Sequence, residues 1–167
     1  DAEAFAQARY DMPNCSARMD ALRAAILRPQ LVGLERNIRR WNRRYSILEA
    51  ELAQDPRIAT IARPAAEFFV GSSIQFHLPG VEQAGCRAFL QAARARGVEL
   101  KWFGAPEPSG FTFTHRSWHY LPDQHLPRTE AVLATLFDMR LPLSFSEGDC
   151  RLIAALIREA AKETAAC

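Results

Sequence analysis

The chain has 167 residues, a mass of 18.8 kDa and a formal net charge of +2. With 49% hydrophobic and 24% charged residues it has the apolar content of a folded domain, which excludes a disordered chain. No apolar run is long enough to cross a bilayer as a helix, and so small a net charge argues against a dedicated nucleic-acid binder.

Lysine is scarce. Of the 21 basic residues only Lys101 and Lys162 are lysines, so any chemistry that needs a lysine amine has two candidates. The chain begins at Asp1 and its first methionine is Met12, which leads us to expect a piece of a longer protein. Cys15, Cys86, Cys150 and Cys167 form no C-x-x-C pair and read as reduced thiols of a cytoplasmic protein.

Residues 1–16 carry little pattern and read as a lead-in and loop. Residues 17–53 read as a long connecting helix. Leu31, Leu34, Ile38, Trp41, Tyr45, Leu48 and Leu52 alternate spacings of three and four, which lines one face with apolar side chains. Pro29 and Gly33 place a break near Arg28. The other face carries Arg36, Arg39, Arg40, Arg43 and Arg44 and reads as a solvated or subunit-facing side, not a nucleic-acid surface.

Residues 54–167 read as a small α+β domain. Arg57–Arg63 is extended, and the apolar even positions from Phe68 to Leu78 predict a half-buried strand with one wet face. Val81–Arg96 is a helix using Val81, Gly85, Ala88, Phe89 and Ala92, stopped at Gly97. Val98, Leu100 and Trp102 predict a strand, Phe111–Thr114 a short one, and His115–Pro127 an irregular loop. Thr129–Met139 is expected to be helical. Ser146 and Asp149 have capping-box spacing and open a last helix, Glu147–Glu163, burying Leu152, Ile153, Leu156 and Ile157. The fold class is α+β: a small, mainly antiparallel sheet with helices on one face, preceded by a long helix.

Arg18-Met19-x-x-Leu22-x-Ala24-Ala25-Ile26, with Asn14 upstream and Gln30-Leu31 downstream, resembles the DegT/DnrJ/StrS family. So do Phe89-Leu90 through Arg96-Gly97-Val98, Leu126-Pro127, and Leu141-Pro142-Leu143 followed by Ser146-Glu147-Gly148-Asp149. These are pyridoxal-phosphate-dependent aminotransferases of fold type I, many acting on nucleotide-linked keto-sugars. The resemblance covers the family's C-terminal part. It implies that the full-length parent is a homodimer holding pyridoxal 5'-phosphate, and that the Schiff-base lysine lies in a large domain outside this sequence. This chain alone then holds no catalytic residue, binds no cofactor and is inactive; no metal, membrane or nucleic-acid partner is implied.

Asn14, Ser16 and Arg18 stand at the entry to the first long helix, where free N–H groups and the helix dipole favour an anion. In the resembled family an asparagine here reaches the cofactor phosphate of the other subunit. The usual spacing puts it at Ser16, and Asn14 lies two residues earlier, so both stay candidates with Arg18; a ligand-free helix cap is the alternative. His115, Arg116, His119 and Tyr120, with His125, form a polar-aromatic cluster suited to an anionic small-molecule substrate. The other reading is a surface loop packed on the sheet. A zinc site at His115 and His119 needs helical spacing that the local pattern opposes. The second class of function is a non-catalytic α+β interaction or dimerisation module sharing the fold.

Overall fold

A computed structural model describes residues 4, 8, 10, 11, 19–107 and 114–164. Two successive helices lead the fold, α1 (Ala21–Val32) and α2 (Leu34–Leu52). They are followed by β1 (Ala59–Thr60), β2 (Ser73–His77), α3 (Gln83–Ala95) and β3 (Lys101–Trp102). A 3₁₀ turn (His115–Ser117), α4 (Pro127–Ala134), β4 (Leu136–Arg140) and α5 (Glu147–Thr164) complete the order. The sheet runs β1-β2-β4-β3, and every neighbouring pair is antiparallel.

The expected break falls at Gly33 instead of near Arg28. Asp20 caps α1 by accepting the Arg23 N–H at 2.7 Å, and Pro29 is carried inside the helix. Gly33 donates its N–H to Gln30 O at 3.1 Å and ends it. The apolar stripe is divided by burial. Tyr45, Leu48 and Leu52 lie in the core, whereas Leu31 and Leu34 are 65% and 44% exposed. No residue of α1 is buried.

α2 and α3 both pack on α5. The core is an aromatic group spanning sheet and helix. Phe137 of β4 stacks on Phe76 of β2 at 5.8 Å between ring centroids and on Trp102 of β3 at 6.2 Å. Phe89 of α3 meets Phe137 edge-on at 4.9 Å. Ile74, Phe76, Phe137 and Met139 are the inward members of their strands, so the alternate residues Ser73, Gln75, His77, Asp138 and Arg140 belong to the other face.

Four elements differ from the sequence reading. β2 starts at Ser73, not Phe68, because Asn42 takes the preceding segment: its amide donates to Phe69 O at 3.0 Å and accepts the Gly71 N–H at 2.7 Å. Phe68 is left 85% exposed. The helix expected over Thr129–Met139 ends at Ala134, and Leu136–Arg140 becomes the strand between β2 and β3, since Phe137 and Met139 alternate into the core. In α3 the buried residues are Cys86, Phe89, Ala92 and Ala93, with Ala88 exposed. In α5 Leu152 is 59% exposed, and Cys150, Ala154, Ile157, Ala160 and Ala161 face the core. The Ser146–Asp149 box is reciprocal: Asp149 N–H donates to Ser146 Oγ at 3.1 Å and Ser146 N–H to Asp149 Oδ2 at 2.7 Å.

Three arginines of the α2 face clamp the turn before α5. Arg44 donates to Phe145 O at 2.6 Å and Leu143 O at 3.1 Å, Arg40 to Leu143 O at 3.3 Å, and Arg43 forks onto Glu147. That arginine run is structural in large part. It orients α5 on α2.

Candidate functional site

Asn14, Ser16 and Arg18 lie outside the described residues, as does most of the expected strand Phe111–Thr114. The substrate-facing candidates lie together on one loop. Thr114 opens its 3₁₀ turn, with its N–H donating to Ser117 Oγ at 3.3 Å and Ser117 N–H returning to Thr114 O at 3.0 Å. His115 and Arg116 occupy that turn, and His119 and Tyr120 follow within one further bend.

Arg116 is the centre of this loop. Its guanidinium donates to Glu130 Oε1 of α4 at 2.5 Å. It borders two clefts. One, of about 370 Å³, is walled by Trp118, Leu121 and Pro122. The other, of about 230 Å³, is walled by Phe103, Gly104 and Leu133. Trp118 and Tyr120 stack at 6.5 Å. Arg116 and Glu130 are 65% and 36% exposed, so their pair is worth little and an incoming anion can compete for the guanidinium. An exposed arginine beside stacked aromatic rings suits an anionic group attached to a flat or apolar body.

His119 faces the N-terminal segment. Its N–H donates to Tyr10 O at 2.8 Å, its Nδ1 shares a hydrogen with Asp11 Oδ1 at 2.8 Å, and its ring stacks on Tyr10 at 5.9 Å. It ties the loop to the N-terminal segment. Among the described residues no group of three or more His, Cys, Asp and Glu could hold a metal ion.

Sequence reasoning missed Asp138. It sits on β4 directly opposite Gln75 on β2 and Lys101 on β3. It is 2% exposed, Oδ1 accepts from Gln75 Nε2 at 2.6 Å, and among the described residues Oδ2 has no hydrogen-bond partner. His77, on the same face, contacts Thr135 Oγ1 at 3.3 Å, and burial holds its imidazole below the usual range. The signal was present in the alternation Phe137-Asp138-Met139-Arg140 before Leu141-Pro142, which fits a strand as well as a helix end.

Lys162 is exposed near the end of α5, and Lys101 lies on an edge strand beside Asp138. The N-terminus of α5 is capped by its own Ser146–Asp149 box, in which Ser146 Oγ takes up the Asp149 N–H.

The DegT/DnrJ/EryC1/StrS aminotransferase family model matches residues 1–158, and the chain belongs to that family. The fold is similar to that of 3-amino-5-hydroxybenzoic acid (AHBA) synthase, at 17% identity and a TM-score of 0.68 over 97% of this chain and 47% of that one. It is also similar to DesI, solved with its TDP-sugar product, at 19% identity and a TM-score of 0.61 over 78% of this chain and 33% of that one. The chain therefore spans less than half the length of either solved structure. No curated protein matches it in sequence. Among the described residues no helix is long and apolar enough to cross a membrane.

Proposed function

We propose that this chain is the C-terminal part of a pyridoxal-phosphate-dependent aminotransferase, acting as a cytoplasmic homodimer on a nucleotide-linked keto-sugar. The observation that carries the reading is the family match across residues 1–158 on a fold that covers only part of its solved relatives. Residues 17–53 join this part to a large domain, and residues 54–167 form the small domain. When bound, the cofactor supplies the carbonyl that accepts and returns the amino group; its lysine comes from outside this sequence, and this chain alone is inactive.

The role of this chain's own residues is binding. Arg116 holds an anionic group of the substrate while Trp118 and Tyr120 flank it; His119 fixes the loop against Tyr10 and Asp11. His115 completes that loop. Asn14, Ser16 and Arg18 contribute donors to the cofactor phosphate across the subunit boundary. The exposed apolar residues of α1, among them Leu22, Ile26 and Leu31, and Met19 just before it pack on the large domain and the second subunit.

The test is an amino-transfer assay on the full-length protein containing this chain, with an amino-acid donor and a nucleotide-linked keto-sugar. Arg116→Ala raises KM for the sugar nucleotide with a smaller effect on kcat, because the contact is made in ground and transition states alike. Absence of amino transfer to any keto-sugar tested, or an unchanged KM in Arg116→Ala, refutes the reading.

A further inference from the structure

Arg116 is held from one side only. Its Nη2 donates to Glu130 Oε1 at 2.5 Å, and among the described residues its Nε and Nη1 make no hydrogen bond. Arg116 walls both clefts of the loop, whereas Glu130 walls the one beside Phe103, Gly104 and Leu133 and not the one beside Trp118. A guanidinium carries five donors in a rigid planar fork. The Glu130 contact therefore fixes one corner of that fork and leaves the other donors for an anion.

Glu130 is itself placed by the core. It stands in the first turn of α4, where its N–H donates to Leu126 O at 3.0 Å. The other end of α4 is pinned to the sheet: Ala134 O accepts the Trp102 indole N–H at 2.8 Å, and Thr135 O accepts the Leu78 N–H at 3.2 Å. Trp102 is buried and stacks on Phe137. Arg116, by contrast, sits on a loop and is 65% exposed. A long side chain in that setting loses rotamer freedom when it grips a ligand, and a carboxylate on an anchored helix removes part of that cost beforehand. Glu130 also repels an incoming anion. That repulsion acts across the guanidinium through solvent that screens it, whereas the pairing is a direct charge-assisted hydrogen bond, so ordering outweighs repulsion.

We propose that Glu130 is the positioning residue for Arg116. It holds Nη2 from α4, so that Nε and Nη1 are presented to the anionic group of the substrate beside Trp118. Glu130 touches no substrate atom and acts through Arg116 alone. It has this role only if Arg116 holds the substrate anion, as proposed above.

The experiment is calorimetric titration of the full-length protein containing this chain with thymidine 5'-diphosphate, in the parent, Glu130→Ala, Glu130→Gln, Arg116→Ala and the Arg116→Ala, Glu130→Ala double variant. Glu130→Ala weakens binding about three- to fivefold, the upper range of what an exposed ion pair contributes. Glu130→Gln keeps an acceptor oxygen for Nη2 and weakens it less. In the Arg116→Ala background Glu130→Ala changes nothing further, because a residue that acts only through Arg116 has nothing left to position. Unchanged or tighter binding in Glu130→Ala, or an equal loss of affinity in the Arg116→Ala background, overturns the proposal and leaves the role of Arg116 standing. No binding to the parent, or an affinity unchanged in Arg116→Ala, overturns it together with the reading of Arg116 on which it rests.

Discussion

Phe137→Ala tests whether Leu136–Arg140 is the strand at the centre of the core. The Phe137 side chain is fully buried and touches rings from three other elements: Phe76, Phe89 and Trp102. A buried phenylalanine removes about 150–250 Å² from water, and at roughly 25 cal/mol per Å² truncation forfeits most of a 4–6 kcal/mol transfer. Alanine keeps part of that surface and the site relaxes in part, so the expected loss is about 3–5 kcal/mol. The measurement is urea unfolding followed by far-ultraviolet circular dichroism and by tryptophan fluorescence, with coincident transitions as the two-state check. Leu152→Ala is the control. The sequence pattern puts Leu152 in the core, and the structure leaves it 59% exposed, so its cost should stay below about 1 kcal/mol. A loss under about 1 kcal/mol for Phe137→Ala, or a Leu152→Ala loss of equal size, refutes this assignment of the core.

Ser146→Ala removes the acceptor that satisfies the Asp149 N–H and should cost about 1 kcal/mol in the same unfolding assay. Gly71→Ala brings a methyl within 2.5 Å of Tyr45 Cβ, so a loss of about 1–3 kcal/mol is expected, with near-ultraviolet dichroism of Tyr45 altered. Hydrogen bonds from Arg57 hold the Asp55 carboxyl below its usual range. A carboxyl depressed in the folded state contributes stability above its unfolded pKa, and that contribution is lost as pH falls through the folded value. Arg57→Met is therefore less stable than the parent chain at neutral pH, and the gap closes on acidification below the ordinary carboxylate range of about 4; a pH-independent gap contradicts the pairing. Light scattering of the chain should give a mass near twice 18.8 kDa, and Ile26→Ser with Leu22→Ser should return it to the monomer if α1 is the associating face.

The sequence was most informative where local chemistry decides structure. Ser146 and Asp149 close a helix entry within four residues, and Gly97 ends α3 at φ +78°, a conformation glycine adopts without a Cβ penalty. Val98, Leu100 and Trp102 alternate inward as their pattern says. The sequence was least informative where distant partners decide. Phe68 and Val70 continue the alternation of β2, yet Asn42, far away in the chain, takes the backbone of that segment. The spacing of Phe137 and Met139 suits a helix end as well as a strand. Only pairing with Ile74, Phe76 and Trp102 settles it. The same ambiguity hid Asp138. The loop cluster was legible as composition, but the division of labour within it was not: Arg116 turns to Glu130 and the clefts, and His119 to Asp11.

The central claim is that this chain belongs to an aminotransferase whose cofactor lysine lies outside these 167 residues. Its direct test is borohydride reduction of the full-length protein with pyridoxal 5'-phosphate, then proteolysis and mass spectrometry to locate the reduced adduct. The account predicts one stoichiometric pyridoxyl-lysine in a peptide outside this sequence, with Lys101 and Lys162 unmodified. A stoichiometric adduct on Lys101 or Lys162, or no lysine adduct anywhere in the full-length protein, would contradict it.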